Sequence, residues 1–471
     1  MNRKEFLASC LGTAAFLSNT ANAYSQSANS TAQTTLSVHD LSKGTAIPTD
    51  FTGLSVETSI LPNAAYFNGS DQSLKGLIKR LGDRGVLRVG GNSSEYSNWE
   101  GMSPTTAGTY HIGPAELERL ASIAEEVNWQ VIYGLNLGTG SPQQAAAEAK
   151  AVRARLGNRL LAFQIGNEPD LFAGNGLRPR TYSVNDYMKE WAEFHSAVET
   201  AVPGAPFGGP DIAFRTFWEM PFATKFAHDL RFLSLHYYSE GPGSSPKSTI
   251  EKMLAPNAML LRGTSDLAAA AAAINVPYRM TECNSCYGGG RLGVSDTLAS
   301  ALWGVDYMFQ LAAAGYAGCN FHGGTGGAYS PLVEAASGEM EYNARPLYYG
   351  MLMFALGGQG QMVPSIFMQP NLNVNAYAVT GPHHQLQITI VNKEASTPID
   401  VVVTMDERYH KGSILRLTGA DLSTKTGITL GGSTVSSSGD WKPTTAELAS
   451  VQNRTLTVHV PAASAALAII S

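Results

Sequence analysis

The stretch Phe163–Pro169, which reads Phe-Gln-Ile-Gly-Asn-Glu-Pro, carries the first information on both fold and function. Apolar residues lead up to Glu168, so the pattern predicts a short buried strand that ends on a carboxylate. Pro169 cannot extend a sheet and disfavours helical geometry at Glu168, so the strand stops there. Charged side chains are rarely buried unless they are paired or used. We therefore expect the chain to supply a partner for Glu168.

Seven further apolar segments of this kind lie between residues 51 and 356, and helical patterns separate them. The predicted strands are Phe51–Glu57, Val86–Asn92, Gln130–Asn136, Leu160–Glu168, Pro206–Asp211, Phe232–Tyr238, Pro277–Glu282 and Tyr316–Phe321. Eight strand–helix units are typical of an α/β fold of the (β/α)8 TIM-barrel type, which we predict for residues 51–356. An open doubly wound sheet is the alternative, although no glycine-rich phosphate-binding loop follows an early strand.

The pattern changes after residue 356 to short apolar runs separated by Gly, Ser, Asn and Pro. The predicted strands are Asn373–Val379, Leu386–Val391, Ile399–Thr404, Ile414–Thr418, Thr455–Val460 and Ala465–Ile470. Residues 357–471 therefore predict a C-terminal all-β sandwich. Residues 24–50 are a spacer with one more short run, Leu36–Val38, and we expect this N-terminal strand to complete the sandwich.

Residues 1–23 have the pattern of an export signal peptide. Arg3 and Lys4 precede an apolar run, Phe6–Leu17, and Ala21–Ala23 offers a small-residue cleavage site. No later run reaches the ~20 apolar residues that cross a bilayer. The net charge is −6 and there is no basic run, which argues against nucleic acid as a partner. We predict an exported protein, periplasmic or secreted, without an integral membrane segment.

Three cysteines remain after removal of that segment: Cys283, Cys286 and Cys319. An odd number argues against a disulfide scaffold. Cys283-x-x-Cys286 has neither a second cysteine pair nor nearby histidines, so it is a weak zinc motif. We interpret these residues as thiols packed near a strand end, and we predict no metal.

Chemistry in a (β/α)8 barrel takes place at the C-terminal ends of the strands. The polar residues predicted there are Glu57, Arg88, Asn92, Asn167, Glu168, His236, Tyr238, Glu282, His322 and Tyr329. Glu282 ends the seventh strand, three units after Glu168, so we expect the two carboxylates to face each other across the barrel mouth. A strand-end glutamate that simply pairs with an arginine is the structural alternative.

Two facing carboxylates are what hydrolysis of a glycosidic bond requires. One must be protonated to donate to the leaving oxygen, and the other must be ionised to attack the anomeric carbon. Their repulsion raises the pKa of one of them, which separates the two roles. A separation of about 5–5.5 Å predicts retention of configuration, and a wider gap predicts inversion.

Gly166–Pro169 resembles the acid/base motif of retaining barrel glycosidases that carry the acid/base on strand four and the nucleophile on strand seven. The segment Thr281–Gly290, followed by Leu292–Thr297, is similar to the nucleophile segment of glycoside hydrolase family 79. That family contains β-glucuronidases and the heparanases. Leu87–Asn92 and the loop ending in Gly327–Tyr329 also look like this family, so the resemblance covers the whole predicted barrel.

The resemblance implies that Glu168 is the general acid/base and Glu282 the nucleophile. It also implies that Asn167 hydrogen-bonds the 2-hydroxyl of the sugar and that Tyr238 orients Glu282. His236 shares a strand face with Tyr238 and either supports this network or is satisfied within the core. No cofactor is implied.

The glycine-rich loop that follows Glu282 resembles the family's pocket for the C6 carboxylate of a uronic acid. Glycines let backbone amides approach a ligand closely, and clustered amides form an anion-binding nest. The predicted pocket residues are Tyr287, Gly288, Gly289 and Tyr329. A glycine turn beside a packed aromatic ring is the structural alternative.

Three more polar residues complete the predicted site. Glu57 and Asn92 are expected to bind hydroxyls of the non-reducing sugar. Arg88 either fixes the geometry of a carboxylate or touches the substrate.

The predicted function is a retaining exo-β-glucuronidase that removes terminal β-linked glucuronic acid from a glycan or glycoconjugate. Heparanases cleave inside a sulfated polyanion, which favours basic clusters around the cleft, and this acidic chain lacks them. A heparanase-like endo-β-glucuronidase therefore stays an alternative, as does a β-glycosidase for neutral sugars. The alternative outside enzymes is a carbohydrate-binding protein on an inactive barrel.

Overall fold

The computed structural model describes residues 32–39, 41, 44–64, 66–67, 72–100, 102, 109–324, 326–334 and 341–471. The predicted signal peptide, residues 1–23, lies outside them. The strands of the described residues are β1 (Ala32–Val38), β2 (Thr45–Ala46), β3 (Thr52–Glu57), β4 (Val86–Gly90), β5 (Ser97–Trp99), β6 (Tyr110–Ile112), β7 (Gln130–Leu135), β8 (Leu160–Ile165), β9 (Phe207–Ile212), β10 (Leu230–Glu240), β11 (Tyr278–Cys286), β12 (Cys319–Gly323), β13 (Leu332–Glu334), β14 (Tyr342–Ala344), β15 (Gln361–Met362), β16 (Ser365–Phe367), β17 (Val374–Thr380), β18 (Leu386–Asn392), β19 (Ile399–Thr404), β20 (Lys411–Thr418), β21 (Thr429–Leu430), β22 (Glu447–Ser450), β23 (Thr455–Val460) and β24 (Ser464–Ile470). The α-helices are α1 (Gln72–Arg80), α2 (Pro114–Val127), α3 (Pro142–Leu156), α4 (Val184–Ala201), α5 (Glu219–Lys225), α6 (Ile250–Leu254), α7 (Ala258–Ile274), α8 (Leu298–Ala313) and α9 (Pro346–Gly357).

Eight parallel strands close into a barrel in the order β3, β4, β7, β8, β9, β10, β11 and β12, here called barrel strands one to eight. Strand eight pairs with strand one, for example Phe321 with Leu54. The predicted (β/α)8 barrel is thus confirmed, and the open doubly wound sheet is excluded because an open sheet has two unpaired edges.

The barrel interior changes from apolar to polar towards the C-terminal ends of the strands. One buried apolar cluster comprises Val86, Ile132, Ala162 and Phe232. Residues two positions further along a strand share its face and lie one layer higher. Those residues include Arg88, Gln164 and Ser234, all of them buried. The apolar layer therefore forms a floor beneath a buried polar layer, and the latter leads to the strand ends.

Five predicted strand ends were wrong by two residues or more. Strand two ends at Gly90 and not at Asn92, and strand eight ends at Gly323 and not at Phe321. Strand four ends at Ile165 and not at Glu168, because Gly166 and Glu168 take left-handed backbone angles, with φ of +85° and +50°. Strands six and seven continue to Glu240 and Cys286, and these two residues pair with each other. Glu282 consequently lies within strand seven, where the pairing with strands six and eight shifts register, and not at its end.

The helices surround the barrel, and their termini follow the sequence signals. Ser141 Oγ accepts a hydrogen bond from Gln144 N at 3.2 Å, Pro142 begins α3, and Gly157 follows its last residue. No helix in the described part of the chain combines the length and apolar character that crossing a bilayer demands.

The C-terminal sheets form the predicted sandwich, completed by the N-terminal strand. One sheet has the order β16-β1-β19-β23, and the other has the order β2-β15-β17-β18-β24-β20-β21. β1 runs parallel to β19 and antiparallel to β16. Leu36 of β1 is fully buried with Ile388 and Val401 in the core between the sheets. The ion pair of Lys393 Nζ with Asp306 Oδ2, at 2.6 Å, fastens this sandwich to α8 of the barrel.

Candidate active site

A cleft of about 600 Å³ opens at the C-terminal end of the barrel. Ten of the predicted site residues line it: Glu57, Asn92, Glu168, His236, Tyr238, Glu282, Tyr287, Gly288, Gly289 and Tyr329. The eleventh, Asn167, is buried beside it, and its Nδ2 donates to Asn92 Oδ1 at 3.4 Å. The residues that sequence reasoning selected are thus brought together.

Glu168 stands on the turn that follows strand four. Its backbone is left-handed, which is uncommon for a residue with a side chain and marks an over-determined conformation. Its amide donates to the carbonyl of Asp211 on strand five at 2.9 Å. Burial raises the pKa of Glu168, and the negative charge of Glu282 adds to this, while a hydrogen bond and the charge of His236 oppose it.

Glu282 is buried as well, but it is surrounded by donors and cations. Tyr238 Oη donates to Oε1 at 2.7 Å, and Arg88 donates to Oε2 at 2.8 Å. His322 Nδ1 lies 3.6 Å from Oε2. Burial alone would raise the pKa of Glu282, but the charges of His322, His236 and Arg88 and the Tyr238 hydrogen bond lower it to about 2. The carboxylate is therefore ionised at ordinary pH.

The two carboxylates are close neighbours. One oxygen of Glu168, one oxygen of Glu282 and a ring nitrogen of His236 lie within 4.8 Å of one another. This distance suits the narrow carboxyl separation of about 5–5.5 Å that double displacement needs. The same three groups could in principle hold a cation. However, the pKa of His236 is raised to about 10, so its ring is protonated and offers no lone pair.

Arg88 lies beneath the two carboxylates and links the residues around them by hydrogen bonds. It is fully buried, and its guanidinium donates hydrogen bonds of 2.6–3.0 Å to five side chains: Ser55, Gln164, Asn167, Asp211 and Glu282. A guanidinium has five N–H donors in a rigid plane, so one residue fixes several acceptors at once. Of the two roles left open by the sequence, the structure shows that Arg88 fixes carboxylates.

Asp211 links His236 to the same network, and sequence reasoning gave it no role. His236 Nδ1 lies 3.0 Å from Glu168 Oε1, and Nε2 lies 3.0 Å from Asp211 Oδ1, although the latter contact lacks hydrogen-bond geometry. Asp211 also accepts from Thr281 and Gln164, both at 2.5 Å. Burial opposes ionisation, but the charges of Arg88 and His236 hold the pKa of Asp211 well below its usual range. Its position at the end of strand five was the available signal.

Glu95 is the second residue that the sequence did not reveal. Its carboxylate accepts hydrogen bonds from the backbone amides of Asn167 and, at 2.5 Å, Gly138. Burial raises the pKa of Glu95 to about 7, against the effect of these hydrogen bonds. Glu95 lies on a short 3-10 turn after strand two, where no strand or helix periodicity points to it.

Glu57 is already engaged by protein partners. Its Oε2 accepts from Ser93 N at 2.8 Å and Ser93 Oγ at 2.5 Å, while Oε1 lies 3.5 Å from His322 Nε2. Burial opposes ionisation, but the hydrogen bond and charge of His322 lower the pKa of Glu57. Glu57 is thus a fixed acceptor on the strand-one side of the cleft, next to the exposed Asn92.

The glycine loop forms the rim opposite Glu168. Gly288 and Gly289 have φ of +76° and +89°. Burial raises the pKa of Tyr329, and a hydrogen bond from the Gly289 backbone opposes this shift. Tyr287 is half exposed, and its ring centroid lies 6.3 Å from that of Tyr238. The Tyr329 ring lies 6.3 Å from Tyr238 on another side. The backbones of Gly288 and Gly289 and two phenols therefore line one end of the cleft.

The cysteines have no part in this arrangement. Cys283 and Cys286 lie within strand seven, and Cys283, Cys286 and Cys319 are buried and unpaired. Cys283 Sγ donates to the carbonyl of Asn320 at 3.4 Å. These are packed thiols, as interpreted from the sequence.

Comparison with known proteins agrees with this geometry. Residues 371–467 match the family model of the glycosyl hydrolase family 79 C-terminal beta domain. A β-glucuronidase from Neurospora crassa is 25% identical over 368 residues, which are 68% of this chain and 65% of that protein. A β-glucuronidase from Aspergillus niger is 24% identical over 395 residues, 73% of this chain and 71% of that protein. The chain thus spans about two thirds of the length of these relatives.

Solved structures share the fold at low sequence identity. A 4-O-α-L-rhamnosyl-β-D-glucuronidase from Fusarium oxysporum 12S superposes with a TM-score of 0.75 at 20% identity, over 93% of this chain and 99% of that chain. A GH51 arabinofuranosidase from Xanthomonas axonopodis pv. citri gives a TM-score of 0.70 at 16% identity over the same shares. At such identities the likeness concerns the architecture alone.

Proposed function

We propose that this chain, a member of glycoside hydrolase family 79, is a retaining exo-β-glucuronidase that removes terminal β-linked glucuronic acid from glycans or glycoconjugates. The observation that carries the proposal is the pair Glu168 and Glu282, which lie within 4.8 Å and have opposite pKa shifts. One is a carboxylic acid able to donate a proton, and the other is a carboxylate able to attack.

In the first step, a Glu282 oxygen attacks the anomeric carbon while the glycosidic C–O bond breaks. The proton of Glu168 goes to the departing oxygen, and the sugar is left as an ester of Glu282. Arg88 and Tyr238 each bind one oxygen of Glu282, so the carboxylate is held in place before attack.

In the second step, Glu168 takes a proton from water, and the water oxygen attacks the anomeric carbon. The ester bond breaks, its electron pair returns to Glu282, and Glu168 is protonated again. Two inversions give net retention. His236 lies against Glu168 in both steps and is the group that stabilises its anionic form between them.

Substrate contacts are proposed for the polar groups that line the cleft or lie beside it. The Gly288 and Gly289 amides with the phenols of Tyr287 and Tyr329 are the proposed site for the C6 carboxylate, since several neutral donors suffice for one carboxylate. Asn167, with Oδ1 held by Arg88, is the proposed partner of the 2-hydroxyl, and Glu57 and Asn92 are proposed to bind further hydroxyls.

Exo action is favoured over cleavage within a polyanion because of the charge of the cleft. Among the described residues that line it, none is Lys or Arg. A site for a sulfated chain requires cations beyond the cleaved bond.

Export completes the proposal. The signal-like pattern of residues 1–23 supports it.

The substrate assignment is tested with 4-nitrophenyl β-D-glucuronide and 4-nitrophenyl β-D-glucoside, which share a leaving group. We expect kcat/KM to favour the glucuronide by about 100-fold or more, the worth of hydrogen bonds to one charged group. Preference for the glucoside would contradict the carboxylate pocket. Binding of glucuronides without turnover at any pH would indicate a binding protein instead.

The roles of the two glutamates are tested by matched carboxamides. Glu282→Gln should lower turnover on the order of 10⁴-fold or more, with no covalent sugar in the intact mass. Glu168→Gln should still release 4-nitrophenol in a first burst, and its mass should increase by one glucuronosyl group because water is no longer deprotonated. A Glu282→Gln enzyme with near-normal turnover would contradict the nucleophile assignment.

A further inference from the structure

The cleft has two chemically different halves. Apart from Asn167, which follows strand four, the predicted sugar contacts come from barrel strands seven, eight, one and two and the loops that follow them. The side facing strands four to six is lined by apolar side chains, here called the apolar wall: Leu171, Phe214, Met259 and Leu260. Phe214 and Met259 are 53% and 68% exposed, which is unusual for side chains of this size beside a catalytic centre.

Hydrogen bonds hold the backbone of the apolar wall in place. The buried carboxylate of Asp170, two residues after Glu168, accepts hydrogen bonds from three consecutive amides, those of Ala213, Phe214 and Arg215, at 2.9, 3.1 and 3.1 Å. Thr216 Oγ1 donates to Asp266 Oδ2 of α7 at 2.5 Å. The loop that carries Phe214 is thereby tied both to the turn of the proposed acid and to α7, whose first turn carries Met259.

Asn257 fixes the other part of the apolar wall. Its Oδ1 accepts from Met259 N at 2.9 Å, and its Nδ2 donates to the carbonyl of Ser239 on strand six at 3.2 Å. Met259 therefore lies in the first turn of a helix that is anchored to the barrel rim. Exposed apolar side chains on a braced backbone are preorganised for a ligand, because little further ordering is needed when it binds.

The position of the proposed acid decides which part of a substrate meets the apolar wall. A leaving group departs on the side of the residue that protonates it, which is Glu168 on strand four. We propose that the apolar wall is the leaving-group subsite and that it takes the apolar aglycone of a small-molecule β-glucuronide. This inference rests on the proposed function and names its substrate class.

The polar side chains on the side of the cleft that faces strands four to six argue against a sugar as the leaving group. Besides Glu168 and the strand-six residues His236, Tyr237 and Tyr238, the polar lining residues of this side are Asn175 and Thr216. The Thr216 hydroxyl already donates to Asp266. A sugar in this subsite would leave several hydroxyls without partners, which costs binding free energy. An alkyl, alicyclic or aryl group has no such requirement and gains from covering Phe214 and Met259.

The test is the homologous series from methyl to hexyl β-D-glucuronide, in which the aglycone grows while the acidity of the leaving alcohol stays nearly constant. In the wild type, kcat/KM should rise about threefold for each of the first added methylenes that become buried. Phe214→Ala should flatten this slope. Phe217→Ala is the matched control, since Phe217 is 64% exposed three residues further on and does not line the cleft, and it should keep the slope.

Dissociation constants of the same series, measured on Glu282→Gln, separate the two proposals. Absent turnover in the wild type would contradict the proposed function, whereas the slope of affinity against chain length would still report on the apolar wall. A flat series in both measurements, or equal flattening by Phe214→Ala and Phe217→Ala, would overturn the apolar subsite. A higher kcat/KM for a glucuronosyl disaccharide than for hexyl β-D-glucuronide would overturn the apolar subsite as well.

Discussion

Glu168 and Glu282 are buried to nearly the same degree, with 8% and 5% of each residue exposed, yet their surroundings differ. Glu282 lies within strand seven, where Arg88, His322 and Tyr238 surround its carboxylate, and its pKa is lowered to about 2. Glu168 lies on a left-handed turn with one histidine partner, and burial raises its pKa. Burial by itself raises the pKa of both, so the division into acid and nucleophile comes from the partners of each carboxylate.

Arg88 is the residue through which the two regions are joined, since it binds both Glu282 and Asn167, the neighbour of Glu168. Arg88→Met should have the largest effect. The substitution leaves Asp211 and Glu282 without their buried cation, so the free energy of unfolding should fall by about 3–5 kcal/mol. In the folded protein, kcat/KM should fall about 10³-fold or more. Denaturant unfolding and steady-state kinetics measure these two effects.

Arg279→Met is the matched control, because Arg279 is another buried arginine of the barrel. It donates to Asn320 Oδ1 at 2.7 Å and to backbone carbonyls, and no carboxylate accepts from it. It should lose stability while the folded protein keeps its kcat/KM. Equal losses of activity in both variants would mean that Arg88 acts through general stability and not through Glu282.

The contrast between the two glutamates was only partly predictable from the sequence. Periodicity located all eight barrel strands and six strands of the sandwich, because burial on a strand or helix face leaves a repeat in the sequence. The end of strand four was wrong by three residues, since Gly166 and Glu168 leave the sheet through backbone angles that no apolar pattern records. The ends of strands six and seven were wrong because cross-strand pairing extended them to Glu240 and Cys286.

Contacts between side chains that are distant in the sequence were harder to predict. Asp211 and Glu95 reach Arg88, His236 and Asn167 only after the barrel closes, so these contacts leave no periodic pattern in the sequence. Strand-end position was a local signal for most of the cleft residues, and it was available for Asp211 as well. The glycine-loop residues were predicted from the resemblance to family 79. The apolar wall could not be predicted either, because the sequence does not show that the hydrophobic side chains of Phe214 and Met259 are exposed.

Tyr238→Phe tests the Glu282 side alone. Loss of one hydrogen bond to a charged oxygen should lower kcat/KM about 10- to 100-fold. Because this hydrogen bond lowers the pKa of Glu282, its removal should raise that pKa and move the acid limb of the pH profile to higher pH. Tyr182→Phe is the control, as its hydroxyl donates to Glu190 at 2.8 Å outside the cleft. A shift of the alkaline limb instead would assign Tyr238 to the acid.

His236→Asn tests the Glu168 side and should have the smallest effect, because asparagine keeps a donor and removes only the charge. We expect kcat/KM at the optimum to fall about tenfold or less. The hydrogen bond and charge of His236 lower the pKa of Glu168, so their loss should raise it further. Activity needs Glu168 protonated, and the alkaline limb should therefore move to higher pH. The acid limb should move to higher pH too, because the charge of His236 also lowers the pKa of Glu282, whereas Tyr238→Phe moves the acid limb alone. His195→Asn is the control, because His195 stacks on Trp191 on α4 and should leave both limbs in place. An alkaline limb that moves to lower pH in His236→Asn would show that His236, and not Glu168, is the group whose proton the reaction needs.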